Sequence, residues 1–125
     1  MVTPYLKRLL LDLRDVGSFE PANPEDVYAA AEMDIGWEGE EGTARFYFTV
    51  ATPSGLMRAP IVPGTKYTLS RGALIVVSRF SRDDLLSDLN RTIGLSAKET
   101  VEDTVHDLER FFAWEYGDFI PSSTG

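Results

Sequence analysis

Two stretches of the chain alternate between apolar and polar positions. Residues 27–37 place an apolar side chain at every odd position, and residues 43–51 place one at every even position. A period of two is typical of a β-strand with one buried face. Both stretches are therefore predicted to be strands, with Val27, Ala29, Ala31, Met33, Ile35 and Trp37 on the buried face of the first and Ala44, Phe46, Phe48 and Val50 on that of the second.

Residues 38–42 connect these two strands, which predicts a β-hairpin. The connection is acidic, and it is predicted to be a five-residue loop. Gly39 and Gly42 can adopt the positive φ angles that hairpin loops need. The hairpin tip would then present the carboxylates of Glu38, Glu40 and Glu41.

The pattern of residues 4–13 fits two structures. Thr3 and Pro4 would suit the start of a helix, as the cap and the first-turn residue. The stretch is too short for its periodicity to decide between helix and strand. The helical stripe would be Leu6, Leu9, Leu10 and Leu13, and the strand face would be Tyr5, Leu9, Leu11 and Leu13.

A nearly continuous apolar run covers residues 72–80. Such a run predicts a central strand that is covered on both faces. Residues 17–26 are predicted to be a loop, because Pro21 and Pro24 bias the residues before them away from helix. Residues 53–66 contain three prolines and are also predicted to be a loop, with one helical turn near residues 54–57.

Two helices are predicted in the last third of the chain. Ser81 would cap the first helix, and Gly94, which follows its apolar stripe, would end this helix. Ser96 and Glu99 would form the capping box of the second. A short strand is predicted from about Ala113, and residues 121–125 are predicted to be a frayed tail. The helical stripes are Leu85, Leu86, Leu89 and Ile93 in the first helix and Ala97, Val101, Val105, Leu108 and Phe112 in the second.

The order of these elements predicts the fold class. Strands come first, two helices follow, and a short strand closes the chain. This order favours an α+β fold, with an antiparallel sheet of about four to five strands and two helices packed on one face. A length of 125 residues predicts a single domain over residues 1–125.

The formal net charge is −8, and it is unevenly distributed. Residues 1–41 carry three bases and ten acids, residues 42–82 carry six bases and no acid, and residues 83–125 again carry three bases and ten acids. A nucleic-acid-binding protein needs a basic surface, so nucleic acid is not expected as a partner. An acidic surface instead attracts a basic protein.

Other features of the sequence narrow its chemistry. The chain has no Cys, so disulfides, a thiol nucleophile and thiolate metal ligands are excluded. No stretch has the length and apolarity of a secretory signal or a membrane helix, so a cytoplasmic location without membrane contact is expected. The only His, His106, has no recognisable nucleophile or metal partner. Neither a cofactor, a metal site nor catalytic residues are predicted.

A set of short motifs resembles a known family. The residues are Ile35-Gly36, Gly42, the alternation of Phe46, Phe48 and Val50, then Thr52-Pro53, and Trp114-Glu115-Tyr116 near the end. This pattern is similar to that of the immunity protein 8 family of bacterial polymorphic-toxin systems. Members often have a Trp near the position of Gly55-Leu56, where this chain departs from the pattern. The resemblance also implies a strand over residues 4–13.

The resemblance implies a function without catalysis. Such proteins bind a secreted toxin made by the same bacterium and block its functional surface. A toxin with a basic cleft would suit the charge of this chain. The predicted contact residues are Trp37, Glu38, Glu40 and Glu41 at the hairpin, and Glu99, Glu102 and Asp103 on the second helix. The alternative is a regulatory or scaffold domain that pairs with itself or a partner through an exposed sheet edge.

Overall fold

A computed structural model describes residues 1–58 and 73–117 of the chain. The strands are β1 Pro4–Leu11, β2 Arg14–Asp15, β3 Tyr28–Trp37, β4 Glu40–Ala51, β5 Ala73–Val76 and β6 Ala113–Trp114. The helices are α1 Pro53–Met57, α2 Arg82–Leu95 and α3 Val101–Leu108, and a 3-10 helix covers Val16–Ser18. The predicted tail at residues 121–125 and most of the predicted loop 53–66 lie outside the described residues.

The sheet has the strand order β2-β1-β3-β4-β5, and β6 pairs with the same edge of β4 as β5 does. All described pairs are antiparallel except β4–β5, which is parallel. The helices α2 and α3 contribute Leu85, Leu89, Ile93, Val105 and Leu108 to the same core as the sheet residues. The predicted α+β class is therefore confirmed.

The hairpin of β3 and β4 confirms the alternation of the sequence. All ten predicted buried-face residues are buried. The connection is shorter than predicted, because Trp37 pairs directly with Glu40 across a turn at Glu38 and Gly39. The register then shifts between this pair and the pairing of Gly36 with Thr43. Gly39 and Gly42 both have positive φ angles, 77° and 97°, as the turn and the shift require.

Residues 4–11 form a strand, so the extended alternative for this segment is confirmed. Leu9 and Leu11 face the core. Leu13, which both sequence patterns counted as buried, is 85% exposed. The reason is a turn at Asp12 and Leu13 with φ angles of 50° and 66°, which reverses the chain into β2.

The prediction of a central strand at residues 72–80 was wrong. The strand β5 covers only Ala73–Val76, and among the described residues it pairs with β4 alone. Leu74 and Val76 are 45% and 51% exposed, so the strand is covered on one face rather than two. An apolar run does not reveal this, because it records composition and not the position of a strand within a sheet.

The predicted capping box at Ser96 and Glu99 was also wrong. Ser96 ends α2 instead, since its hydroxyl donates a hydrogen bond of 3.0 Å to the carbonyl oxygen of Thr92. Thr100 caps α3, with its Oγ1 accepting a hydrogen bond of 3.0 Å from the amide of Asp103. Consequently Gly94 lies inside α2, and Phe112 reaches the core from beyond the end of α3.

Candidate partner-binding surface

The N-terminal segment brings the two predicted acidic patches to the same end of the molecule. The amide of Val2 donates a hydrogen bond of 2.9 Å to the carbonyl oxygen of Lys98, just before α3. The amide of Glu38 donates one of 3.0 Å to the carbonyl oxygen of Thr3. Consecutive residues of one segment thus hold the hairpin turn on one side and the start of α3 on the other. The six acidic residues at this end, here called the acidic end, are Glu38, Glu40, Glu41, Glu99, Glu102 and Asp103.

All six residues of the acidic end are exposed. Glu99 lies 3.4 Å from the amino group of Met1. Among the described residues, the other five have no basic group within 4.0 Å of their carboxylates. Within the part of the chain that the structure describes, the negative charge of the acidic end is therefore compensated only in part.

Bases from the middle of the chain pair with acids elsewhere. Arg58 lies 2.6 Å from Asp26, and Arg79 lies 3.9 Å from Glu25. A third base, Arg45, binds Asp34. These bases therefore compensate acids outside the acidic end, and none of them lies within 4.0 Å of its carboxylates.

Asp34 and its two arginines form an ion network on the face of the sheet opposite the core. Its carboxylate lies 2.9 Å from Nε of Arg45 and 3.0 Å from a guanidinium nitrogen of Arg8. The hydrogen bond from Arg45 holds the pKa of Asp34 below its usual value, and Arg8 acts in the same direction. Arg8 also lies 3.5 Å from Glu32, so two bases and two acids balance on this face.

Trp37 is buried, and only 5% of it is exposed. It faces the core from the end of β3. Trp37 was among the predicted contact residues, but at this burial its ring does not provide an exposed aromatic anchor. It lines one side of a shallow concavity of about 510 Å³ together with Tyr5 and the hairpin residues 38–41. Glu38 lies on the acidic end, together with the other five predicted carboxylates of the hairpin and of the start of α3.

Tyr5 is the exposed aromatic residue of this concavity, although no pattern in the sequence indicated it as a contact residue. It pairs in register with Gly36 of β3, and 41% of it is exposed. A glycine inside a strand often marks the close approach of another group. Gly36 was therefore the sign that could have pointed to Tyr5, once the strands were known to be neighbours.

The opposite end of the molecule also carries acidic residues, and it offers a comparison. Arg82 at the start of α2 donates hydrogen bonds of 2.9 and 3.0 Å to the carbonyl oxygens of Val16 and Phe19, beyond the C-terminal end of β1. The acidic end lies instead at the N-terminal end of β1. Asp83 and Asp84 in the first turn of α2 are therefore exposed acids remote from the acidic end.

A larger cavity of about 620 Å³ lies between β5, α2 and the segment after α3. Several of its polar residues already have structural partners. Ser81 caps α2, Asp88 lies 3.0 Å from Arg91, and Arg110 lies 3.0 Å from Asp107. The hydrogen bond from Arg110 also lowers the pKa of Asp107. These groups stabilise helix ends and turns.

His106 is an exposed residue of α3, with Nδ1 3.3 Å from a carboxylate oxygen of Glu109 on the next turn. Within residues 1–58 and 73–117, no group of three His, Cys, Asp or Glu side chains is placed to hold a metal ion. In the same parts of the chain, none of the helices has the length and apolarity needed to cross a membrane.

A family model provides the identification. The model for immunity protein 8 matches residues 5–119, which is nearly the whole chain. The chain belongs to the immunity protein 8 family. Membership supports a role as an immunity protein and implies a toxin as its binding partner. No curated protein and no solved structure matches the chain.

Two of the motifs that resemble the immunity protein 8 pattern have clear structural roles in this chain. Thr52 is fully buried, and its Oγ1 accepts hydrogen bonds from the amides of Val27, at 2.9 Å, and Gly55, at 3.2 Å. This hydroxyl ties the start of β3 to α1. Trp114 pairs with Phe46 of β4 at the end of the chain's described part. Both motifs thus serve the scaffold on which the acidic end is displayed.

Proposed function

We propose that this immunity protein neutralises a cognate secreted toxin by binding it through the acidic end and covering its functional surface. The complementary surface of the toxin is basic. In this proposal the protein performs no reaction of its own and acts in the cytoplasm of the cell that makes the toxin.

The observation that supports this proposal most directly is the convergence of two separate acidic segments. The hairpin tip and the start of α3 are about 60 residues apart in the sequence. Backbone hydrogen bonds to Val2 and Thr3 hold them side by side. Because most of these carboxylates have no basic partner among the described residues, their negative potential extends into the solvent.

The expected physics has two parts. Exposed carboxylates accelerate the encounter with a basic partner and orient it, and this effect weakens as salt increases. Affinity then depends on a few residues that become buried in the complex. Tyr5 lies directly beside the carboxylates of the hairpin and is available for such a contact.

The alternative hypothesis, self-association through a sheet edge, has less support. The described edge of β1 pairs with β2 only at Leu10 and Leu11. The rest of that edge contains Pro4, and the register shifts around Lys7. Proline, lysine and bulges are the features with which proteins prevent edge-to-edge pairing.

Charge-neutralising variants test the proposed surface. The variants are E38Q/E40Q/E41Q at the hairpin and E102Q/D103N in the first turn of α3. Three rim charges at about 0.5 kcal/mol each predict about a tenfold increase in Kd for the hairpin variant. Binding to the toxin encoded beside this gene is measured by calorimetry, and growth rescue is measured in cells that express this toxin.

D83N/D84N is the matched control for the α3 variant. It removes two acids from the first turn of a helix, as E102Q/D103N does, but at the opposite end of the molecule. We expect its Kd to stay within about twofold of wild type. An equal increase in Kd for D83N/D84N and E102Q/D103N would show that binding depends on net charge alone and not on the acidic end. A wild-type protein that neither binds the toxin nor rescues growth would overturn the proposed function itself.

A further inference from the structure

The ring of Tyr5 is held against the backbone of Gly36. A Cβ atom built at Gly36 would lie 2.6 Å from Cζ, 2.8 Å from the hydroxyl oxygen and 3.0 Å from Cε1 of Tyr5. The ring therefore occupies the space that a side chain at residue 36 would fill. Since 41% of Tyr5 remains exposed, the ring is fixed on one side and open on another. Such an aromatic group loses little conformational entropy when a partner covers it.

The surroundings of the ring determine which chemical group it can receive. The concavity beside Tyr5 is lined by the hairpin residues 38–41, which contribute three carboxylates. These carboxylates have no basic partner among the described residues. An apolar side chain in this place would remove their hydration without compensation, which is unfavourable. A cation satisfies both the carboxylates and the electron-rich face of the ring.

Resting on the proposed function, we propose that Tyr5 is the aromatic anchor of the toxin-binding surface and receives an arginine side chain of the toxin. A planar guanidinium group can stack on the phenol ring while it donates paired hydrogen bonds to a carboxylate of the hairpin. Lysine pairs with carboxylates as a point charge and stacks less well. Gly36 acts as a positioning residue, because the ring can lie where it does only in the absence of a Cβ atom.

Four variants test the anchor by calorimetric titration with the toxin. Y5A removes the ring, and G36A leaves it in the protein but displaces it from its place. Aromatic residues at interface hot spots lose about 2 kcal/mol or more on truncation, which corresponds to an increase in Kd of about thirtyfold for Y5A. G36A is expected to raise Kd in the same direction. Y5F keeps the ring and is expected to bind within about twofold of wild type.

Y116A is the matched control, because Tyr116 is another exposed tyrosine, 61% accessible, outside the concavity. It is expected to bind as wild type does. Thermal unfolding of each variant separates a loss of binding from a loss of structure, and Y5A remains a complete test if G36A does not fold. If wild type binds and rescues growth while Y5A binds as tightly as Y116A, the anchor is refuted and the proposed function is retained.

A double-mutant cycle tests the chemistry of the partner residue. Y5A is combined in turn with alanine variants of the exposed arginines and lysines of the toxin. The proposal requires that at least one arginine shows a strong coupling to Tyr5. Coupling only to a lysine or to an apolar residue would overturn the assignment to arginine. If wild type does not bind the toxin at all, the proposed function fails, and the anchor fails with it.

Discussion

Replacement of Thr52 by Val removes one hydroxyl group from the place where β3, β4 and α1 meet. The volume and branching of the side chain are kept. The amides of Val27 and Gly55 lose the oxygen that accepts their hydrogen bonds of 2.9 and 3.2 Å. Thr52 is 0% exposed, so water has little access to replace this oxygen. The same hydroxyl donates a hydrogen bond of 3.4 Å to the carbonyl oxygen of Val27, so the variant measures the contribution of one buried hydroxyl group.

The magnitude follows from the two amides that lose their acceptor, because the carbonyl oxygen of Val27 keeps its hydrogen bond from the amide of Thr52. A buried amide without an acceptor costs about 1–3 kcal/mol, which applies to Val27. The loss of an N-cap costs about 1 kcal/mol, which applies to Gly55 in α1. We therefore expect T52V to lower the free energy of unfolding by about 3 kcal/mol. For a chain of this size, the melting temperature should fall by about 10 °C.

Urea denaturation followed by circular dichroism measures this effect, and T100V is the matched control. Thr100 caps α3 with the same kind of hydrogen bond, 3.0 Å from the amide of Asp103, but it is exposed and serves this one amide. T100V should cost about 1 kcal/mol. A T52V variant that is no less stable than T100V would refute the reasoning, because the bond to Val27 would then contribute nothing.

The stability of three more variants is measured in the same way, and the salt dependence of binding is a separate test. G55A should lower the free energy of unfolding by more than about 3 kcal/mol, because its Cβ would overlap the carbonyl group of Val27. G94A should instead raise the free energy of unfolding by about 0.8 kcal/mol, since Gly94 lies in α2 with open space around it. A G94A variant that is less stable than G55A would contradict this explanation. D34N should cost about 1–2 kcal/mol near neutral pH, whereas D88N, which affects an exposed ion pair, should cost less than about 0.5 kcal/mol. The lowered pKa of Asp34 means that its contribution is complete above the unfolded-state pKa of about 3.9 and is lost as pH falls below it. The difference between wild type and D34N should therefore shrink between pH 5 and pH 2, and a constant difference would exclude this role. The Kd for the toxin should increase as salt is raised from 50 to about 200 mM, and no change would exclude steering by the acidic end.

Local patterns in the sequence predicted much of the sheet and both longer helices. The alternation in residues 27–37 and 43–51 correctly predicted which face is buried, because a period of two directly reports the face that a residue takes. Ser81 was correctly predicted to cap α2. The cap of α3 was wrongly assigned to Ser96, because a serine hydroxyl can equally bond back to the preceding helix and end it.

The candidate site was only partly predictable. The carboxylates of the hairpin and of α3 were identified from their charge and remain predicted contact residues. The burial of Trp37 followed from the alternation along β3, but the exposed position of Tyr5 depends on the neighbouring strand, where Tyr5 lies over Gly36. The sequence does not contain this pairing in any local pattern.

The sequence by itself determined the period of each strand and helix, the surplus of acidic residues and the motifs of the immunity protein 8 family, because these depend only on the order of neighbouring residues. The tertiary structure alone decided that β5 lies at the edge of the described sheet, that mid-chain arginines pair with Glu25, Asp26 and Asp34, and that residues 38–41 and 99–103 lie at one end. These features join residues that are far apart in the chain, and their energies depend on distance in space, which composition and spacing do not specify.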